Sequence, residues 1–366
     1  MAKTYRVAVI GRTGKGNYGH GLDVVWNTIP NVEIVAVADE DEKGRTAAAA
    51  RIKAKNAYAD YRQMLEKEKP HIVSVADRYL DQHKDMVLAC AQAGASMFIE
   101  KPLCPTLAEA DEIVAACERH HVKAAIAHQT RYSPRLKVIR DFIGEGKLGD
   151  VMELRGRGKE DARAGGQDLM ILGTHVLDLM RFIAGDPRWC YARVSLDGKL
   201  VTKADVKDGA ENCGPIAGNH IVAEYGFDKG ATGYFGTQKS TPGNARFGLQ
   251  ILGSKGVIAL NFGSLPAAFF CEDPAWFTGK GKAPWQEISS VGVGQPETLK
   301  DGGLGQGNTW IVQDLIEAIE KDRQPLGSIY DGRAALEMIL AVYEAHRVKG
   351  PVELPLKNRK HPLTML

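Results

Sequence analysis

The sequence predicts an α/β protein: an N-terminal doubly wound parallel sheet, then a C-terminal α/β domain with an open-faced, largely antiparallel sheet. Three observations carry this. Over the first 125 residues, short β-branched runs alternate strictly with helix-patterned segments, which implies parallel strands joined by right-handed crossovers. A glycine-rich loop follows the first run directly. From about residue 150 to 300 the segments become strand-like, with Gly, Asn and Asp between them, the pattern of an antiparallel sheet. A chain of 366 residues favours two domains, here drawn at 1–125 and 126–366.

The elements follow in order. "YRVAVIG" (5–11) is a strand ending in glycine, and "VEIVAVAD" (32–39) is a second ending in an acid, with "LDVVWNTI" as a short helical piece between them. "EKGRTAAAARIKA" is helical, "HIVSVAD" (71–77) is a third strand, and "HKDMVLACAQAG" is a helix closed by Gly94, suited to a left-handed cap. "SMFIE" (96–100), the helix "TLAEADEIVAACERHH" and "KAAIAHQ" (123–129) complete the first domain. A linking helix lies in "SPRLKVIRDFIGEG". The strand-like series runs through "DVMELRGRG", "WCYARVSLDG", "NHIVAEYGF", "GATGYFGTQK" and "RFGLQILGSKGVIAL", interrupted by one helix, "QDLMILGTHVLDLMRFIAG" (167–185). Two helices close the chain, in "TWIVQDLIEAIEKD" and "GRAALEMILAVYEAHRVKG".

Composition excludes several classes. With 44% hydrophobic and 25% charged residues the chain has the material for a core. The formal charge is +2 and no basic run gathers it, so neither nucleic acid nor an anionic membrane is an expected partner. Six cysteines stand without C-x-x-C spacing, against a zinc site or disulfide scaffold and for a reducing compartment. His120 and His121 are adjacent on a helix, so their rings point about 100° apart and no metal is expected. The first strand starts at once, with no room for a signal peptide, and no apolar run approaches the roughly 20 residues of a membrane span. The expectation is a cytoplasmic protein.

"GRTGKGNYGHG" (11–21) contains G-x-G-x-x-G at Gly14, Gly16 and Gly19, three residues later than a dinucleotide loop places it. Gly11 holds the strand-end position, so the loop reads as a fingerprint with an insertion. Small residues let backbone N–H groups approach a pyrophosphate; Gly11, Arg12, Thr13, Gly14, Asn17 and Tyr18 are the candidate contacts. Asp39 stands where an acid accepts from the ribose hydroxyls. Its charge repels a 2′-phosphate and favours NAD over NADP, with Arg12 softening that preference. Ala76, Asp77, Glu100, Lys101 and Gln129 join the cofactor set from the ends of later strands.

"SMFIEKPLCPT" (96–106) delivers Glu100 and Lys101 side by side at the exit of an apolar strand and stops at Pro102. The simple reading is an ion pair at a strand end. Ligands of open parallel sheets bind beyond the carboxyl ends of the strands, however, which places Lys101 over the nicotinamide crevice.

Four segments bear a resemblance to the Gfo/Idh/MocA oxidoreductases (glucose–fructose oxidoreductase, inositol dehydrogenase and relatives). They are "GASMFIEKPLCPTLAEADEIV", "HQTRYSPRLKVIRDFIGEGKLGDV", "LGTHVLDLMRFIAG" and "DLIEAIEKDRQPLGSIYDGRAALEMILAVYEAHRVKGPVELPL". The match runs over nearly the whole chain and is weakest from about 186 to 305. It implies a Rossmann domain, a tightly held NAD(P), and oxidation or reduction at a sugar or polyol carbon. Lys101 maps onto the family's catalytic lysine, Glu100 onto its neighbour, and His175 onto the histidine that contacts the reacting hydroxyl. Because the two come from different domains, the resemblance implies a cleft completed by both.

Departures are specific. The family's Asp-x-x-x-His acid is here Ile171. Asp168, seven residues before His175, would share its helix face but lie roughly 10 Å up the axis; it is a candidate for a substrate hydroxyl. Asp178 is a nearer neighbour or a helix anchor. "ADRYLDQH" replaces a common Thr-Pro. The charged "GKEDARAGG" loop (158–166) offers Arg163 or Lys159 to a carboxylate, uronate or phosphate, or is plain surface charge. The aromatic segment 267–285, with Trp276 and Trp285, packs on a partner subunit or lines a sugar cleft. The expected protein is an NAD-dependent oxidoreductase of a sugar, sugar acid or cyclic polyol, and a homodimer or homotetramer. A redox-neutral lyase or glycosidase that recycles NAD, and a non-catalytic regulator, remain as alternatives.

Overall fold

The computed structural model describes residues 3–239, 246–276, 283–300 and 302–366. It divides into two compact units: Met1–Gln129 with Ala210–Cys213 and Leu304–Arg333, and Thr130–Gly209 with Gly214–Gly303 and Ala334–Leu366.

The first unit holds strands β1 (Tyr5–Ile10), β2 (Val32–Ala38), β3 (Asn56–Tyr58), β4 (Ile72–Val75), β5 (Ser96–Ile99) and β6 (Ala124–Ile126). They form one sheet in the order β3-β2-β1-β4-β5-β6, parallel throughout. Strand order reverses between β1 and β4, so the crevice for a ligand opens at their carboxyl ends. β3 adds a sixth strand to the five read from the sequence; three residues are too few to show a period. Val7, Val9, Ile72 and Val73 are fully buried, as strands covered on both faces require.

Between the strands run α1 (Glu42–Ile52), α2 (Tyr61–Glu68), α3 (His83–Gln92) and α4 (Leu107–Arg119). Their starts are written locally. Asp41 accepts from the Gly44 N–H at 2.6 Å, and Thr106 accepts from the Glu109 N–H at 3.3 Å, each satisfying a donor that a helix start leaves open.

The second unit contains α5 (Pro134–Gly144), α6 (Gly166–Ile171) and α7 (Gly173–Ala184). Its strands are β7 (Val151–Arg157), β8 (Pro187–Leu196), β9 (His220–Phe227), β10 (Thr232–Gln238), β11 (Gly248–Gly253), β12 (Gly256–Asn261), β13 (Ala268–Cys271), β14 (Gln286–Glu287) and β15 (Val352–Glu353). With the short strand Lys199–Leu200 on β8 they make a ten-stranded sheet in the order β14-β13-β12-β11-β7-β10-β9-β8-β15. All of its pairings are antiparallel except β7 with β10. The last two helices are α8 (Leu304–Glu320), in the first unit, and α9 (Ile329–Val348).

The inner face of this sheet is covered by helices. Gly156 on β7 has no room for a Cβ because Val176 and Met180 of α7 press on it, and Tyr225 on β9 donates to the Met338 carbonyl of α9 at 2.9 Å. The outer face leaves Tyr191, Val222, Tyr234 and Phe269 exposed. Among the described residues no helix is long and apolar enough to cross a membrane.

One expected helix is divided. The helix expected over 167–185 is two, α6 and α7, divided at Leu172. Gly173 packs so closely on Phe235 that a Cβ would fall 3.2 Å from the ring, so the chain steps onto the sheet there. Asp168 and His175 therefore sit on separate helices, and the estimate of two turns along a single axis does not apply.

Candidate functional site

In the first unit the candidates cluster at the carboxyl ends of β1, β2, β4 and β5. The loop after β1 is a small hairpin in which Arg12 and Asn17 exchange backbone hydrogen bonds at 3.0 Å, and the Asn17 side chain accepts from the Gly14 N–H at 3.1 Å. Gly14, Gly16 and Gly19 take φ of +80°, +84° and +60°, a conformation that costs other residues energy. The insertion inferred from the late glycines is this hairpin.

Asp39 ends β2, almost wholly buried. Its carboxylate accepts from the Thr13 hydroxyl at 2.7 Å, the Thr13 N–H at 3.1 Å, the Tyr18 hydroxyl at 2.8 Å and the Asp41 N–H at 3.0 Å. Tyr18 lies directly against Gly11, where a Cβ has no space, with the Arg51 guanidinium over its ring at 4.9 Å. Burial first, then the bond to Asp39, pushes the Tyr18 phenol far above its usual range. Tyr18 thus stands as a neutral donor that fixes the acid.

Across the crevice Arg12 reaches Asp77 at 2.8 Å and Asp81 at 3.0 Å. Asp77 is fully buried; burial raises its carboxyl, while the charge on His83, the Tyr79 N–H and Arg12 pull the other way. Ala76 donates its N–H to the Ile10 carbonyl at 2.9 Å. The small residues of this loop and the acid beside it suit a dinucleotide by composition, while the N–H groups of Arg12, Thr13, Gly14, Lys15 and Asn17 are bonded within the loop or to Asp39.

Glu100 and Lys101 lie at the end of β5. Glu100 is 0% exposed and Lys101 is 6% exposed. The Lys101 ammonium is 3.9 Å from the Glu100 carboxylate. Two residues that the sequence reading passed over complete the group. His20 places its Nδ1 3.0 Å from Glu100 Oε1, and Asn308 of α8 donates to the His20 carbonyl at 2.9 Å while accepting from Gln129 at 2.9 Å. Burial alone would raise the Glu100 carboxyl, but the His20 bond and the charges of His20 and Lys101 outweigh it and hold it low. His20 stands one residue after Gly19, and that adjacency to the glycine motif was the available signal. Asn308, some 290 residues away in sequence, gave none.

In the second unit His175 opens α7, its N–H donating to the Leu172 carbonyl at 3.1 Å. Its ring meets Phe247 edge-on at 6.3 Å, and Phe247 stacks on Phe262 at 4.4 Å. Neither aromatic was marked by any sequence motif. Ile171 is buried. Asp168 is completely enclosed, accepting from the Thr237 hydroxyl at 2.5 Å and from the N–H groups of Lys159 and Glu160 at 3.1 Å. Burial raises its carboxyl, with these donors opposing. Asp178 receives both arms of Arg131, at 2.6 and 3.0 Å, an anchor between α7 and the turn that precedes α5. Arg163 folds onto Asp161 at 2.5 and 3.0 Å, and that bond holds the Asp161 carboxyl at about 2. Lys159 lies 3.7 Å from the same acid. Trp276 donates to the Gly253 carbonyl at 2.7 Å and Trp285 is exposed; residues 277–282 of their segment lie outside the described residues.

Known proteins resemble this chain in sequence and in fold. Residues 5–128 match the model of an oxidoreductase family with an NAD-binding Rossmann fold, and residues 136–259 match the Gfo/Idh/MocA C-terminal domain. The D-apiose dehydrogenase of Paraburkholderia graminis is 30% identical over 214 residues, 56% of each chain. The levoglucosan dehydrogenase of Pseudarthrobacter phenanthrenivorans is 23% identical over 357 residues, 87% of this chain and 89% of that one. A levoglucosan dehydrogenase solved with NADH and levoglucosan superposes with a TM-score of 0.78 at 19% identity, covering 97% of this chain and all of the other. The chain is a member of the Gfo/Idh/MocA family of oxidoreductases, with NAD as its cofactor.

Proposed function

We propose that the chain is an NAD-dependent dehydrogenase of a sugar, sugar acid or cyclic polyol, with Lys101 and His175 handling the proton. The observation that carries this reading is Lys101 itself: an almost fully buried ammonium at the carboxyl end of a parallel strand, beside an ionised glutamate, in a domain that binds NAD. Relatives named as D-apiose, levoglucosan and myo-inositol dehydrogenases support the substrate class.

NAD supplies the hydride chemistry when bound. The residues of the chain have two tasks. Asp39 and the glycine loop bind and orient the dinucleotide. At the substrate, one group must take the hydroxyl proton during oxidation and return it during reduction, and a histidine or a desolvated lysine suits this. Lys101 polarises the substrate oxygen and His175 exchanges the proton. Arg163 binds an anionic group if the substrate has one.

A redox-neutral reading keeps one observation in its favour: Ile171 is a buried aliphatic residue at the family's acid position, so the usual partner of the histidine is missing. In that version the same pair oxidises, cleaves and reduces, and no NADH accumulates. We further propose a homodimer or homotetramer built through the outer face of the ten-stranded sheet, and residence in the cytoplasm, where six buried cysteines without a disulfide are stable.

The test follows nicotinamide absorbance while NAD-loaded protein meets polyols, aldoses, uronates and glycosides, with product analysis of each mixture. Stoichiometric NADH supports the dehydrogenase, and cleavage without NADH supports the second reading. Lys101→Met abolishes turnover with NAD affinity nearly unchanged; full turnover in that variant would refute the assignment.

A further inference from the structure

The carboxylate of Asp39 is fully engaged by its own chain. A carboxylate offers about four acceptor positions, and four donors fill them: the Thr13 N–H and hydroxyl, the Tyr18 hydroxyl and the Asp41 N–H. Two of these donors are fixtures. Tyr18 is buried, with its ring against Gly11 and the Arg51 guanidinium over it. The Asp41 N–H belongs to the main chain that starts α1, two residues from Asp39. The other two donors come from one residue, Thr13, which is half-buried on the hairpin after β1. A ribose diol also brings two hydroxyl donors, so Thr13 meets the acid with as many donors as the sugar would.

Thr13 is seated as well as bonded. A Cβ on Gly44, in the first turn of α1, would collide with the Thr13 hydroxyl, so that glycine leaves the notch the threonine fills. One residue earlier, Arg12 crosses to Asp77 and Asp81 and straps the hairpin over the crevice. The cavity that Arg12 and Asp39 line together with Tyr61 and Met86 has a volume of about 10 Å³, about what a single water needs. All of these residues belong to the first unit.

We propose that Thr13 occupies the ribose position on Asp39 and must release the acid before NAD binds, which makes the Thr13 hydroxyl a determinant of NAD affinity. A chain that populates its binding-competent arrangement only in part binds with its Kd raised by the inverse of that fraction. One hydrogen bond to a charged group is worth on the order of tenfold. The inference rests on the reading of Asp39 as the acid that accepts from the ribose. It gives Thr13 a role opposite in sign to that of a cofactor contact: its removal tightens binding.

The experiment titrates the full chain, freed of nucleotide, with NAD, ADP and 2′,3′-dideoxy-ADP in a calorimeter, as wild type, Thr13→Val and Thr13→Ser. Thr13→Val keeps the shape of the side chain and drops the hydroxyl, so it should bind NAD and ADP about five- to tenfold more tightly. Thr13→Ser keeps the hydroxyl and should stay within about twofold of wild type. The dideoxy nucleotide has no diol to compete for Asp39, so its affinity should be the same in all three proteins. Weaker or unchanged binding of NAD and ADP by a Thr13→Val protein that melts cooperatively overturns the proposal, as does equal tightening of the dideoxy nucleotide. Asp39→Ala tests the underlying reading separately. Wild-type affinity for ADP in that variant would refute the ribose assignment and this proposal with it. Weak ADP binding there, without a gain in Thr13→Val, would refute the role of Thr13 alone. No readout uses a sugar, so a chain that turned over none would sink the proposed function and leave this result standing.

Discussion

Asp39 shows how much one carboxylate can carry. It receives donors from Thr13, Tyr18 and Asp41, so it shapes the loop that follows β1. Asp39→Ala should weaken NAD binding by about 10- to 100-fold, the worth of hydrogen bonds to a charged group, and should reduce discrimination against NADP; calorimetric titration with both nucleotides checks this. His361 is a second residue with a readable consequence. It is buried, its Nδ1 accepting from the Leu363 N–H at 3.4 Å, and burial lowers its ring from the ordinary 6.5 to about 4. In the unfolded chain the ring takes its proton near 6.5; in the folded chain it resists until about 4. Stability from this residue is therefore complete above pH 6.5 and lost as the pH falls toward 4, by up to about 3 kcal/mol. Urea unfolding at pH 7.5 and 4.5 should show the loss, and His361→Gln should flatten it.

At the scale of elements, the charged loop between β7 and α6 is fastened from beneath. Asp168 collects two loop N–H groups and the Thr237 hydroxyl of β10, while Glu160 accepts from the Gln238 N–H at 2.9 Å and pairs with Arg157 and Arg246. Removing a fully buried acceptor strands its donors, so Asp168→Ala should destabilise the chain by about 3 kcal/mol. Thr237→Val should cost about 1–3 kcal/mol, because it removes the donor to Asp168 and the acceptor of the Gly165 N–H. Thermal unfolding measures both. A residue that bound substrate alone would instead raise KM without moving the melting temperature.

At the scale of the molecule, the outer face of the ten-stranded sheet is the surface most in need of cover. Facing rows across β8, β9, β10, β7, β11, β12 and β13 place Tyr191, Glu224, Tyr234, Arg155, Gln250, Ala259 and Phe269 side by side. A groove of about 860 Å³ runs along it. Exposed aromatic and aliphatic side chains set among polar ones, as Tyr191, Val222, Tyr234 and Phe269 are here, mark interaction sites, and an isologous dimer buries the same patch on both copies. Light scattering should report a dimer or tetramer, and Val222→Glu with Tyr234→Lys should dissociate it; a monomeric wild type would defeat the proposal.

The sequence by itself determined the alternation of strands and helices, the glycine loop, Asp39 and the Glu100–Lys101 exit. These are local: β-branched runs, cap residues and a strand-end proline act on neighbours a few residues away, so their signals survive in one dimension. The three-residue β3 and the break at Leu172 escaped because the first is too short for a period and the second depends on the contact of Gly173 with Phe235. Only the tertiary structure decided that His20 and Asn308 gather on Glu100, that Phe247 and Phe262 back His175, and that Asp168 turns inward to Thr237. Such contacts join residues tens to hundreds of positions apart. No local pattern encodes them, because their energy exists only once the sheets have brought the partners together.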